Sequence, residues 1–324
     1  MTAEQQAEKE GQGIPGLSYR KKKKKFRWSR LFFILSFIIL PTINFLIFYV
    51  YLNFSSILMA FQQIQAGETV WTLENFRMFF REFQKTSSTI RIAFVNTGKS
   101  FLITEVMFAV GFFVSYFLYK QILGHKIFRV LFFLPGLMAG TIVSSFFIKL
   151  VSYEGPVASI VQSVFHMSET PMLLSDSRYA NQTIFANMIW LSFPGNMVLW
   201  GGTFSRIPDS VIESAKLDGV NWIQEAFRII IPVVWPTFSM LFILSLVGFF
   251  SASGQVFLLT KGELGTMTVS CWMYLQIYNN TGNADASNTY NFMSAIGILM
   301  TACTGVIVLI TRKITNRYYS DVQY

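Results

Sequence analysis

The chain has 324 residues, of which 52% are hydrophobic, 17% aromatic and only 13% charged, with a formal net charge of +9. Soluble domains carry about 25% charged residues, so this composition excludes an ordinary water-soluble globular protein. Two cysteines build no disulfide framework, and neither of the two histidines has a Cys or carboxylate cluster at ligand spacing, so no metal site and no cofactor is expected.

Residues 1–20 are rich in Gln, Glu and Gly and are expected to be disordered. Lys21 to Lys25, Arg27 and Arg30 then complete a basic tail, 1–30. The uncharged stretch 31–67 that follows is much longer than the 7–15-residue core of a signal peptide and lacks a clean small-x-small cleavage site, which reads as a retained anchor. Five more such stretches lie at 100–119 (interrupted by Glu105), 130–148, 179–205, 229–260 and 286–311. Each supplies the roughly 20 apolar residues needed to cross about 30 Å of hydrocarbon at 1.5 Å per residue. Lipid offers backbone groups no hydrogen-bond partner, so the spans are expected to be helices. The fold class is therefore all-α: a polytopic membrane protein with six transmembrane helices.

Charge sets the orientation. With an inside N-terminus, the inner segments hold residues 1–30, Lys120, Lys126, Arg129, Arg206, Lys216, Arg228, Arg312, Lys313 and Arg317, which is 18 of the 26 lysines and arginines. Positive charge stays on the cytoplasmic side during insertion, so both termini are expected there. The basic tail then faces anionic membrane lipids rather than nucleic acid.

The outer loops fall at about 62–92, 152–180 and 261–288. Within the first, Leu73, Phe76, Phe79, Phe80 and Phe83 stand at helical spacing and predict a short amphipathic helix over 71–83. Span two carries Lys99, which can snorkel outward, and Glu105 about two turns deeper, which cannot. A carboxylate at that depth costs on the order of 2.5–3.5 kcal/mol, so it should face the bundle or a wet cavity. Glu105 either binds a polar solute or accepts a structural hydrogen bond. Spans four to six mix polar and aromatic residues, among them Asn196, Trp200, Ser245, Ser251, Gln255 and Asn291. Such groups line solute pockets, and they also glue membrane helices together. Pro194-Gly195 and Pro232/Pro236 are expected to bend spans four and five. Cys271 is expected in an exposed loop and Cys303 inside span six.

Between spans four and five, residues 206–232 predict two short helices projecting as a rigid knob. Ser210 and Glu213 have the spacing of a capping box, Gly219 suits a positive-φ C-cap, and a second helix, about 221–230, stops before Pro232. This loop resembles the EAA-x3-G-x9-I-x-L-P motif of type I ABC-importer permeases. Glu213, Ala215, Gly219, Ile229 and Pro232 match; Ser214 replaces the middle Ala and Ile231 the Leu. Val95-Asn96-Thr97 resembles the L-x-N-T that opens that family's core, and Phe128-Arg129 through Leu134-Pro135 its F-R-x-x-x-x-L-P. Arg206-Ile-Pro-Asp resembles the lead-in of the sugar-transporting branch. Lys261-Gly262-Glu263-Leu264, however, stands where that branch has a Gly-Gly-Pro-like turn.

The resemblance, covering roughly 30–315, implies the type I permease arrangement over 31–315, with 316–324 a cytoplasmic tail. It implies that loop 206–232 couples the spans to cytoplasmic ATPases. The implied partners are a second related permease subunit, two ATPase subunits and an extracellular solute-binding protein, with a sugar or oligosaccharide as cargo. No G-x-x-x-x-G-K-[ST] occurs, so ATP hydrolysis is expected in the partners and this subunit is not an enzyme. A type I permease for an amino acid, polyamine or phosphate and an ion-gradient-driven secondary transporter remain as alternatives.

Overall fold

A computed structural model describes residues 28–85, 88–251, 254–283 and 286–318. The expected basic tail and the C-terminal tail lie outside these, apart from helical 28–30 and 316–318. Residues 1–55 and 56–324 are two separate units. The first contains α1 (Trp28–Asn44), a π-helical turn (Phe45–Tyr51) and the start of α2 (Leu52–Ala60).

In the second unit, β1 (Gln62–Gln65) and β2 (Glu68–Trp71) form an antiparallel hairpin whose turn, Ala66-Gly67, has positive φ at both positions. That geometry matches the strand twist in a two-residue hairpin. The outer loop was read from its aromatic spacing alone, which does not report this pair of polar strands. The amphipathic helix follows as α3 (Glu74–Gln84), with Phe79 buried and Phe80 exposed.

The remaining helices are α4 (Thr89–Tyr119), α5 (His125–Phe133), α6 (Gly140–Val151), α7 (Pro156–Val164), α8 (Ala180–Phe204), α9 (Asp209–Leu217), α10 (Trp222–Gln224), α11 (Ile231–Val247), α12 (Gly254–Thr260), α13 (Val269–Asn280) and α14 (Ala286–Tyr318). Among the described residues four helices, Leu35–Ala60, Thr89–Tyr119, Trp222–Val247 and Ala286–Arg317, are long and apolar enough to cross a membrane. A fifth crossing is possible for α5 and α6 together. The more polar α8 has 25 residues, about 37 Å of helix. Each of the six apolar stretches is thus largely helical, although 31–67 ends in β1 and its turn, and the chain is a multi-pass, mostly α-helical membrane protein.

Three expectations need correction. Span three is not one rod: it breaks by 112° across the 3-10 turn Leu134–Leu137 and extended Met138 and Ala139. Pro135 cannot donate to the helical ladder, and Gly136 packs so tightly on Pro194 that a Cβ would lie 2.5 Å from the proline Cβ. Span five ends at Val247 rather than 260, because the chain turns at Gly248 and restarts as α12. Cys271 lies in α13, 1% exposed, rather than in an open loop.

Two of the four hydrophobic clusters among the described residues lie along α4. Phe108, Phe112 and Tyr116 of α4 pack with Trp200 and Phe204 of α8 and with Ile212, Ala226, Ile230 and Val234. Toward the other end of α4, Ile90 and Ala93 meet Phe79, Val269, Trp272, Met293, Ile296 and Met300. One 31-residue helix, about 46 Å long, therefore runs through both.

Candidate functional site

The knob begins with α9. Pro208 takes the extended N-cap conformation (φ −62°, ψ 135°) with no side-chain cap bond, so helix starts at Asp209 and Ser210 falls inside it. The capping box expected at Ser210 and Glu213 is therefore absent. Asp209 in the first turn and Lys216 in the last still complement the helix dipole. At the other end Gly219 has φ +69°, Val220 N–H donates to Ala215 O (3.3 Å) and Gly219 N–H to Lys216 O (3.2 Å). These two bonds around a left-handed residue form a Schellman turn.

A capping box does exist, one helix later. Asn221 accepts from Gln224 N–H (2.9 Å), and the Gln224 side chain accepts from Asn221 N–H (3.1 Å). The Asn221–Gln224 pair has the three-residue spacing of such a box. The helix it starts does not stop before Pro232. It runs from α10 through a π-helical turn (Glu225–Ile230) into α11. Ile231 N–H reaches back five residues to Ala226 O. The wider register falls just where Pro232 has no N–H to offer, so the proline is absorbed instead of ending the helix.

Packing divides the knob into two faces. Ile212 and Ala215 are buried, and Ile212 belongs to the same cluster as Phe204 and Ile230. Glu213, Ser214, Lys216 and Gly219 are exposed, and Ile229 and Pro232 are half-buried. Ala215 therefore seats the knob, whereas Glu213 and Gly219 are free to meet another surface. Beside them stand Leu217, 89% exposed, and the half-exposed Trp222, Ile223 and Phe227. Motif matching passes over these four, yet together they make an apolar ridge.

Behind the knob, Lys120 caps the C-terminal end of α4 and its Nζ lies 2.8 and 2.7 Å from the two carboxylate oxygens of Glu225 in the π-turn. Glu225 is 3% exposed. The Lys120 ammonium also stands 6.0 Å from the Tyr116 ring.

The interior candidates separate into groups. Asn196 donates to Met107 O (3.0 Å) and fully buried Trp200 donates to Phe108 O (3.3 Å), so both hold α8 against α4. Glu105 faces Ser245 of α11, whose hydroxyl donates to Phe242 O (2.7 Å). Neither Glu105 oxygen has a hydrogen bond of good geometry, and both are buried. Asn187 is likewise fully buried with neither amide atom bonded. Ser251 is exposed at the α11–α12 turn, Gln255 half-buried in α12 and Asn291 buried in α14.

The Asn-Thr pair has a definite task. Asn96 Nδ2 donates to Gly265 O (2.7 Å) and Met267 O (3.0 Å), while Thr97 Oγ1 accepts from Val269 N–H (2.9 Å). Span two thus latches the 261–268 loop and the first turn of α13.

Residues 108–320 match the family model described as "binding-protein-dependent transport system inner membrane component". The chain is 27% identical over 208 residues, 64% of its length and 69% of the relative's, to the multiple sugar-binding transport system permease protein MsmF of Streptococcus mutans. It is 22% identical over 253 residues to the probable ABC transporter permease protein YesP of Bacillus subtilis, covering 76% and 77% of the two chains. In fold it is similar to a chain of a bacterial alginate ABC transporter, solved in complex with an alginate pentasaccharide-bound periplasmic protein. That match has a TM-score of 0.70 at 20% identity and covers 90% of this chain and 96% of the other.

Proposed function

This chain belongs to the family of binding-protein-dependent transport system inner membrane components, and from that premise we propose that it forms half of the membrane pathway of an ATP-driven importer for a sugar or oligosaccharide. A second, related permease subunit completes the pathway. Two ATPase subunits dock on the cytoplasmic face, where both termini also lie, and an extracellular solute-binding protein delivers the cargo.

The observation that carries this reading is the knob at 206–232. It is rigid, capped at both helices, seated on the core by Ile212 and Ala215, and outwardly apolar along Leu217, Trp222, Ile223 and Phe227. Exposed apolar surface rimmed by charge marks a site of protein contact, and an ion-driven transporter has no use for it. The sugar assignment is supported by the similarity to MsmF and by the alginate transporter's fold. ATP-driven closure of the docked subunits shifts the knob and selects between the two accessible states of the pathway. Inside, Glu105 and Ser245 are the polar step proposed to meet the solute, with Ser251, Gln255 and Asn291 beside the route; Asn196 and Trp200 keep the helix pair closed.

To test this, the tagged protein is purified from its own membranes and reconstituted with the binding protein. An ATPase subunit should co-elute, and a labelled oligosaccharide should accumulate only with ATP. Purification without any ATPase, together with transport that survives Gly219→Asp, would sink the reading. If the binding protein stimulates ATP hydrolysis only when loaded with an amino acid, polyamine or phosphate, the cargo is reassigned.

A further inference from the structure

The coupling knob is continuous in sequence with two long helices, α8 on one side and, through α10 and the π-turn, α11 on the other. Its link to α4 is not covalent. Apolar packing supplies part of it, through Phe112, Tyr116 and their neighbours. The charged part is the pair between Lys120 and Glu225, with both carboxylate oxygens engaged. Apolar contacts slide at little cost, whereas a buried, doubly bonded ion pair resists separation because breaking it strands a charge.

α4 itself carries the connection further. At its other end Asn96 and Thr97 hold the backbone of the 261–268 loop and of Val269 by three hydrogen bonds. That loop contains Lys261, Gly262, Leu264 and Gly265, all with positive φ, so its shape depends on being held. Cys271 lies beneath it: a Cβ on Gly262 would stand 3.4 Å from the thiol sulfur.

We propose that the Lys120–Glu225 pair is a strut that passes movement of the coupling knob to α4, and through α4 to the latched 261–268 loop at the opposite end. The inference rests on the permease reading above. It makes Lys120 and Glu225 positioning residues: neither meets ATP or solute, and both act by fixing α4 to the knob. The pair ties α4 to the knob directly, beside the hydrogen bonds from Asn196 and Trp200 that join α4 to α8, so that three long helices move together when the ATPases close.

Cys271 reports on the far end of the strut. Burial pushes its thiol up from the ordinary range, so it is neutral and slow to react while the loop is latched. The experiment uses the detergent-solubilised complex with its co-purified ATPase subunits. A maleimide labels it in the absence of nucleotide and after trapping with ATP and vanadate, and the Cys271 peptide is followed by mass spectrometry. In the wild type, trapping should raise the labelling rate about fivefold or more, the lower end of ordinary coupling between sites. Lys120→Arg should keep the response and Glu225→Gln should reduce it.

Lys120→Met alone strands the buried Glu225 charge and is expected to assemble poorly. The double variant Lys120→Met/Glu225→Leu removes both charges, avoids that penalty, and should abolish the response. Labelling is read against ATP hydrolysis in the same preparation. A wild-type rate that ignores nucleotide, or a double variant that responds like the wild type, overturns the strut. If no ATPase co-purifies and no hydrolysis is seen with the wild type, the permease reading has failed, which is a different result.

Discussion

Gly111 lies so close to α8 that a Cβ there would come within 2.5 Å of the Asn196 Cβ and 2.8 Å of its Cγ. At Gly201 and Gly202, on the same α8, a Cβ would meet nothing within 4 Å. Gly111→Ala should therefore destabilise the protein by about 1–3 kcal/mol through overpacking. Gly201→Ala should be neutral or slightly stabilising, since alanine favours helix by about 1 kcal/mol over glycine. Thermal unfolding in detergent measures both, and equal effects would contradict the geometry. On the loop before α8, Arg178 donates to Asp176 through Nε and Nη2 at 2.7–3.2 Å and through its backbone N–H at 2.9 Å. These bonds hold the Asp176 carboxyl below the usual range. A depressed carboxylate stabilises fully above its unfolded pKa, about 3.9, and loses that contribution as pH falls through the lower folded value. Protection of the amides around 176–180, taken relative to the intrinsic exchange rate at each pH, should thus fall below about pH 4, and Arg178→Gln should flatten that pH dependence. Sequence reading found Asn196 and Trp200 as polar residues in an apolar helix. It could not tell that their donors serve backbone carbonyls of α4, because their partners lie 89 and 92 residues away.

Helices that cross lipid announce themselves by length and the absence of charge, which is why six stretches were legible before any coordinates. What interrupts a helix is written more faintly. Leu134-Pro135 stands in a family motif, but the 112° break beside it also involves Gly136, which packs against Pro194 across the interface. The C-cap at Gly219 was legible because a left-handed residue has few candidates. The N-cap was misplaced because Ser210 has the right side chain and spacing, whereas the helix starts one residue earlier, at Asp209, behind a proline that makes no side-chain cap bond. The latch between α4 and the 261–268 loop gives an element-level prediction. Asn96→Ala removes two hydrogen bonds, each contributing about 1 kcal/mol. It should raise proteolytic cleavage and amide exchange in 261–268 while leaving α8 and α9 unchanged. Protection that persists in this variant would mean Thr97 holds the loop alone.

At the scale of the whole molecule, the knob exposes an apolar ridge among charged side chains, and this is the surface proposed for docking. Leu217→Asp, at a position 89% exposed, removes no core contact, so folding should be unaffected. Paired with Trp222→Ala it should weaken association with the ATPase subunits at least about tenfold, since exposed aromatic anchors dominate such interfaces. Co-purification yield and binding of the isolated ATPase both measure this. Normal association would show that Glu213 and Gly219 carry docking without the ridge. The motif positions here divide between buried Ala215 and exposed Glu213, and the ridge lies outside them.

The π-helical turn at Glu225–Ile230 holds one residue more than an α-helical turn would. Deleting a single residue from it would return the ladder to ordinary α register and leave everything downstream facing much as before, with Ser245 still opposite Glu105. The same deletion a few residues later, inside α11, would instead rotate the residues beyond it by about 100° and carry Ser245 away from Glu105. The span can thus shed a residue at this turn without re-lining the interior, and related permeases can be searched for a length difference confined to it.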